Sequence, residues 1–113
     1  GHLACLMMMA ADGYHLFTGG RIPLGVTRVR IDESLTVIWA RAFQGNRNIE
    51  VVECHIGVKK VEERAFAGCP SLRIVRMPGV KVVEEWAFGD CEALRYVECD
   101  KLERIGVEAF LGC

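Results

Sequence analysis

The sequence predicts an α/β solenoid of about three full repeats of 22–23 residues, each joining a short parallel strand to a helix of one or two turns. Three observations predict it. Four of the five phenylalanines lie in the dipeptide Ala-Phe, at Phe43, Phe66, Phe88 and Phe110, spaced by 23, 22 and 22 residues. The apolar positions around each pair recur at the same offsets. The segment closing each repeat alternates apolar and exposed positions, which is the period of a strand.

The elements follow in chain order. Residues 1–15 read as an N-terminal flank or cap, and residues 16–113 as the solenoid, its last repeat incomplete. The apolar run from Leu3 to Ala11 is nine residues long, too short to span a bilayer. Val26, Val29 and Ile31 match the closing segment of a repeat. The first full unit then carries Leu35, Ile38, Ala42, Phe43, Gly45, Asn46, Ile49, Val52 and Cys54. The second carries Val58, Val61, Ala65, Phe66, Gly68, Cys69, Leu72, Val75 and Met77. The third runs from Val80 to Cys99, and the fourth begins at Leu102. In each closing segment, such as Leu72 to Met77, a strand is expected. From Glu62 to Ala67 helix formers without β-branched residues predict one or two helical turns, stopped at Gly68. Asp90 replaces that glycine in the third unit and tolerates the left-handed backbone such a stop needs.

The pattern V-x-x-V-x-x-x-A-F-x-G-C-x-x-L-x-x-V-x-M, from Val58 to Met77, resembles the BspA-like leucine-rich repeat. The resemblance covers Val26 to Cys113. It implies a curved leucine-rich-repeat solenoid that binds other macromolecules, without catalysis and without a cofactor. Two departures stand out: Asn46 replaces the cysteine of the other turns, and the last turn lacks its strand.

Composition narrows the function. With 14 basic and 15 acidic residues the net charge is −1, which is not the footprint of a nucleic-acid binder. Of six cysteines, Cys69, Cys91 and Cys113 share one repeat position and Cys54 and Cys99 another. They read as small buried hydrophobes with free thiols. A column of this kind supplies a line of ligands, not the tetrahedron zinc needs. A Cys69–Cys91 disulfide between neighbouring turns stays open. Cys54 and Cys99 stand two strand spacings apart, ~9.6 Å, which is too far to bridge. Buried free thiols favour an intracellular or organellar setting over the cell surface. Hydroxyl and histidine residues show no nucleophile or metal spacing. His55 follows Cys54 directly, which on a strand places the two on opposite faces.

The ruler set by the repeat assigns the exposed columns. Arg30, Glu53, Arg76 and Glu98 form one, with alternating signs suited to cross-strand pairing. Val51, Ile74 and Tyr96 form an apolar stripe beside it, headed by Arg28, with Thr27, Glu50, Arg73 and Arg95 beyond. Trp39 and Trp86 lie off the core columns, near the convex side, where each covers a neighbouring turn or meets a partner. The candidate partner-binding residues are Arg30, Val51, Glu53, Ile74, Arg76, Tyr96, Glu98, Trp39 and Trp86. The strand Leu94–Cys99 forms an open parallel edge, expected to be covered by more chain or by a partner subunit. The expected function is non-enzymatic: a protein-interaction or scaffold module. The alternatives are a cell-surface adhesin-type module and a purely architectural segment of a longer array.

Overall fold

The computed structural model describes residues 13–113. The apolar run Leu3–Ala11 and Cys5 lie outside the described residues. Nine strands build two sheets, both wholly parallel: β1 (His15–Phe17), β2 (Arg28–Ile31), β3 (Val37–Ile38), β4 (Val51–Glu53), β5 (Lys60–Val61), β6 (Ile74–Arg76), β7 (Val82–Val83), β8 (Tyr96–Glu98) and β9 (Arg104–Ile105). The larger sheet has the order β1-β2-β4-β6-β8 and the smaller β3-β5-β7-β9. The chain alternates between them, so it winds as a parallel β-solenoid of about four turns. The larger sheet begins at His15, the last residue of the expected flank.

The expected strands are present; the expected helices are not. Among the described residues there is no helix. Each Ala-Phe segment is a chain of tight turns, and its backbone hydrogen bonds explain why. In the second repeat the amides of Ala65 and Ala67 bond back three residues, to the carbonyls of Glu62 and Arg64. The intervening amides of Arg64, Phe66 and Gly68 instead donate to Glu85, Ala87 and Gly89 of the next turn, Phe66 at 2.7 Å. A helix would use all these donors within the segment. Here every second one ties neighbouring turns together, so tertiary stacking overrides local propensity. Arg41, Arg64, Trp86 and Glu108, at equivalent positions, take φ of 60°, 54°, 57° and 56°, a backbone that ends a right-handed helix. The stop position behaves as expected. Gly45, Gly68 and Gly112 have φ of 72°, 69° and 82°, and Asp90 joins them at 58°.

The second position of each V-x-x-V lies in the smaller sheet, where Ile38, Val61 and Val83 are buried in register, while the first, Val58 and Val80, is buried in the loop before it. The core lies between the sheets and the Ala-Phe turns. Val29, Val52 and Val75 enter it from the larger sheet, and Ile49 and Leu72 from the approach to each strand. Each such side chain contributes roughly 1.5–3 kcal/mol when buried. Phe17, the phenylalanine outside the Ala-Phe pattern, heads the aromatic column. Its ring lies 4.7 Å from Phe43, tilted by 55°. The Phe43–Phe66, Phe66–Phe88 and Phe88–Phe110 pairs are stacked at 5.0, 5.1 and 5.1 Å, with interplanar angles of 9°, 4° and 4°.

The extra residue of the 23-residue step falls in the loop between sheets. Three residues, 55–57, separate the core positions Cys54 and Val58, where two separate Met77 from Val80. His55 braces this longer loop. Its Nε2 lies 3.0 and 2.9 Å from the carbonyls of Asp32 and Leu35, and its Nδ1 accepts the amide of Gly57 at 3.1 Å. That pattern places the proton on Nε2 and gives His55 a structural duty.

The cysteine column is a ladder of free thiols. Cys69, Cys91 and Cys113 donate from Sγ to the carbonyls of Phe43, Phe66 and Phe88, at 3.1, 3.0 and 3.2 Å. Asn46, in the same position one turn earlier, instead accepts the amides of Asn48 and Ile49 through Oδ1. Cys54 is buried in the core cluster, and burial pushes its thiol up to about 12.

Urea unfolding should show Arg64→Gly within about 1 kcal/mol of the parent, because relief of the left-handed penalty offsets the added chain entropy. Arg64→Val should lose more than about 1 kcal/mol; a right-handed turn at this position would reverse that order. Native alkylation at pH 8, mapped by peptide mass, should modify exposed Cys113 first. Cys54, Cys69 and Cys91 should react only after denaturation, and recovery of a Cys69–Cys91 disulfide would contradict the ladder. The neutral Cys54 thiol stabilises the fold fully below the ordinary thiol range, and that contribution is lost as pH rises toward 12.

Candidate functional site

The solvent face of the larger sheet is where the exposed columns converge. Parallel register places Arg30, Glu53, Arg76 and Glu98 side by side on β2, β4, β6 and β8. The same register aligns Arg28, Val51, Ile74 and Tyr96 in the next column. Residues two apart on a strand share a face, so these columns lie together while Val29, Val52 and Val75 between them point into the core.

Glu53 is the hub of the charged column. Its Oε1 accepts Arg30 Nη2 at 3.3 Å, and its Oε2 accepts the Tyr14 hydroxyl at 3.0 Å and lies 4.0 Å from Arg76 Nε. The expected ladder of opposite charges therefore forms from Arg30 through Arg76. Glu98 stands opposite Arg76 in register, but Arg76 turns to Glu53 and to the Tyr96 ring, whose centroid lies 5.4 Å from its guanidinium. Tyr14 is held between two cations, Arg30 at 4.5 Å and Arg28 at 5.4 Å from its ring centre. Burial, followed by the hydrogen bond to Glu53, raises the Tyr14 hydroxyl above its ordinary range, so it stays a donor at neutral pH. On the rim, Arg73 Nη2 pairs with Glu50 Oε1 at 3.1 Å.

One expected member of the stripe departs from its reading. Val51 is only 8% exposed. It forms the floor of a recess walled by Tyr14, Arg28 and Arg73, whose longer side chains rise around it. Ile74 is half-buried beside it and Tyr96 is exposed. The apolar stripe is thus a graded floor that emerges toward β8.

The tryptophans lie away from this face. Trp39 follows β3 and meets Phe17 edge-on, with centroids 6.4 Å apart. Its ring also covers Gly19 of the preceding turn, where an added Cβ would lie 2.8 Å from the indole. Trp86 lies on Gly89 of its own turn; a Cβ there would sit 2.1 Å from the ring. Both pack against the Ala-Phe turns, Trp86 half-buried and Trp39 with 45% of its surface still exposed. Sequence reasoning underweighted Arg28 and Arg73, and placed Tyr14 in the flank. The signal for Tyr14 was its position immediately before the strand that opens the array.

Among the described residues, no group of three or more His, Cys, Asp and Glu side chains converges as a metal site. Among the same residues no helix is long and apolar enough to cross a membrane. The face presents guanidinium, phenol and carboxylate groups around the nearly buried Val51 and the half-buried Ile74.

Comparison with known proteins agrees with the winding. Residues 24–113 match the BspA type Leucine rich repeat region (6 copies). A leucine-rich repeat protein from Bacteroides ovatus ATCC 8483, of known crystal structure, superposes with a TM-score of 0.72 at 27% identity. The match covers 79% of this chain and 23% of that one, so this chain spans about a quarter of its neighbour's length. A search of curated proteins returned no match. The chain belongs to the BspA-type leucine-rich-repeat family.

Proposed function

We propose that this chain is a non-enzymatic protein-interaction or scaffold module whose docking surface is the solvent face of the five-stranded sheet. Leucine-rich repeats generally mediate protein–protein interaction. The observation that carries the reading to this face is the aligned column Val51, Ile74 and Tyr96, of which Ile74 and Tyr96 reach solvent, bordered by Tyr14, Arg28, Arg73 and Arg76. Apolar ground inside a polar rim is the anatomy of an interface. Tyrosine and arginine are the residue types that most often anchor one. The parallel register keeps these groups at fixed spacing, so the face is organised before a partner arrives and little ordering cost remains.

In this reading Arg30, Glu53, Arg76 and Glu98 set orientation, and Val51, Ile74 and Tyr96 supply apolar contact. Trp39 and Trp86 serve the fold. The buried free thiols support a scaffold in a reducing compartment over an adhesin-type surface module.

The test is a triple variant, Ile74→Ala, Arg76→Glu and Tyr96→Ala. Affinity capture from native extract, read by mass spectrometry, should lose the proteins that the parent chain retains. The variant should still melt cooperatively, since Tyr96 is exposed and neither Ile74 nor Arg76 is a core residue. Unchanged capture by a folded variant would move the docking surface elsewhere.

A further inference from the structure

His15 is the one buried polar or charged side chain among the described residues, only 3% exposed. It stands in β1 opposite Val29, in an inward row that continues as Val52, Val75 and Val97. Among the described residues no group hydrogen-bonds its ring. Burial pushes that ring below the ordinary histidine range. The charged and titratable groups of the elements around it are turned away or engaged. Tyr14 on β1, Arg28 and Arg30 on β2 and Glu53 on β4 meet one another on the solvent face. Asp32, after β2, accepts the amide and hydroxyl of Ser34, and His55 lies on the Asp32 and Leu35 carbonyls. On the core side the titratable group is the neutral thiol of Cys54. A neutral imidazole tolerates such a place, whereas an imidazolium would find neither carboxylate nor carbonyl among these groups to accept its second proton.

The strand that carries His15 is held more lightly than those behind it. Among the described residues β1 is the outer strand of the larger sheet, and its turn gives no strand to the smaller one, which begins at β3. It pairs with β2 over three residues, and the Asp32 amide donates to the Phe17 carbonyl at 2.9 Å. Phe17 is tilted by 55° on Phe43, where the later rings stack within 9°. Residues 18–27, which lead to β2, contain Gly19, Gly20 and Gly25 and no strand. Their far end is anchored, because the Thr27 carbonyl accepts the amides of Glu50 and Val51 at 2.7 and 3.1 Å. β1 can therefore part from β2 while β2 and the later turns stay wound. Local opening starts at edges of this kind. Tyr14 immediately precedes His15, so a departing β1 takes with it one wall of the recess over Val51.

We propose that β1 is an acid-released edge strand. With His15 neutral it docks beside β2; a proton on the ring drives it off, uncovering the β2 edge and removing Tyr14 from the recess. The release of β1 does not depend on the docking reading above; together the two make the docking face acid-sensitive. The sign follows from linkage. A histidine held below its free value contributes fully to docking above that free value, ~6.5. The contribution is lost as pH falls through the docked value, by at most about tenfold in the docking equilibrium per pH unit.

The test is hydrogen exchange on the full chain at about pH 7.5 and about pH 5, either side of the free histidine value, corrected for the intrinsic pH dependence of exchange. Amides of β1 should lose protection on acidification, by up to about tenfold per pH unit, while those of β4 and β6 keep theirs. His15→Val puts the residue of the rest of the row at this position and should hold β1 protected at both pH values. His15→Gln, which takes up no proton, should be less protected but equally independent of pH, so the result does not hang on one variant. Trp39 rests on Phe17 and Gly19, so in a Trp86→Phe background its emission should shift to the red on acidification, with a midpoint below ~6.5. Unchanged protection of β1 in the parent would overturn the proposal. The same loss in both His15 variants would overturn it by assigning the effect to another group, such as His55. Loss of β4 and β6 together with β1 would also overturn it, as general acid unfolding.

Discussion

Five phenylalanine rings run through the molecule as one column, each 4.7–5.1 Å from the next. The interval is close to the ~4.8 Å separation of paired strands. The rings therefore keep the same step as both sheets, and a turn cannot shift against its neighbour without breaking all three ladders at once. The Ala-Phe amides reinforce this, because alternate donors reach across to the next turn at 2.7–2.8 Å from Phe43, Phe66 and Phe88. A single turn of this chain has few backbone partners and little buried area of its own. Stability is a property of neighbouring turns taken together.

The surface inherits that constraint. Because the core fixes register, the solvent-facing side chains are stacked into columns whether or not they attract each other. Glu53 sits between Arg30 and Arg76 because Val52 sits between Val29 and Val75. The charged ladder costs nothing to align, and the recess over Val51 follows from the bulk of the side chains that the same register places around it. A repeat core of this kind lets the outer residues vary freely while their spacing stays constant. That separation of packing from recognition is what suits a solenoid to presenting a docking face.

The winding, the main strands, the exposed columns and the thiol column were all legible in the sequence, because each depends on periodicity. What was not legible depends on contacts between turns. Glu62 to Ala67 has helical propensity, but its donors find better partners on the next turn, and Arg64 takes a left-handed φ of 54°. Two-residue strands such as Val82–Val83 are too short to show alternation. Val51 belongs to an exposed column by spacing, yet its burial is set by Tyr14, Arg28 and Arg73, residues far from it in sequence. Phe17 lacks the Ala-Phe context, and only the pairing of β1 with β2 brings it to the head of the ring column.

The central claim is that the ring column couples the turns into one cooperative stack. The most direct measurement is native-state hydrogen exchange on Phe66→Ala, combined with urea unfolding. Phe66 is fully buried between two ring partners, so truncation should cost about 3–5 kcal/mol. Amides of β4, β6 and β8 should lose protection together, as one unit. A loss below about 1 kcal/mol, or deprotection confined to the turn that carries Phe66, would contradict the account.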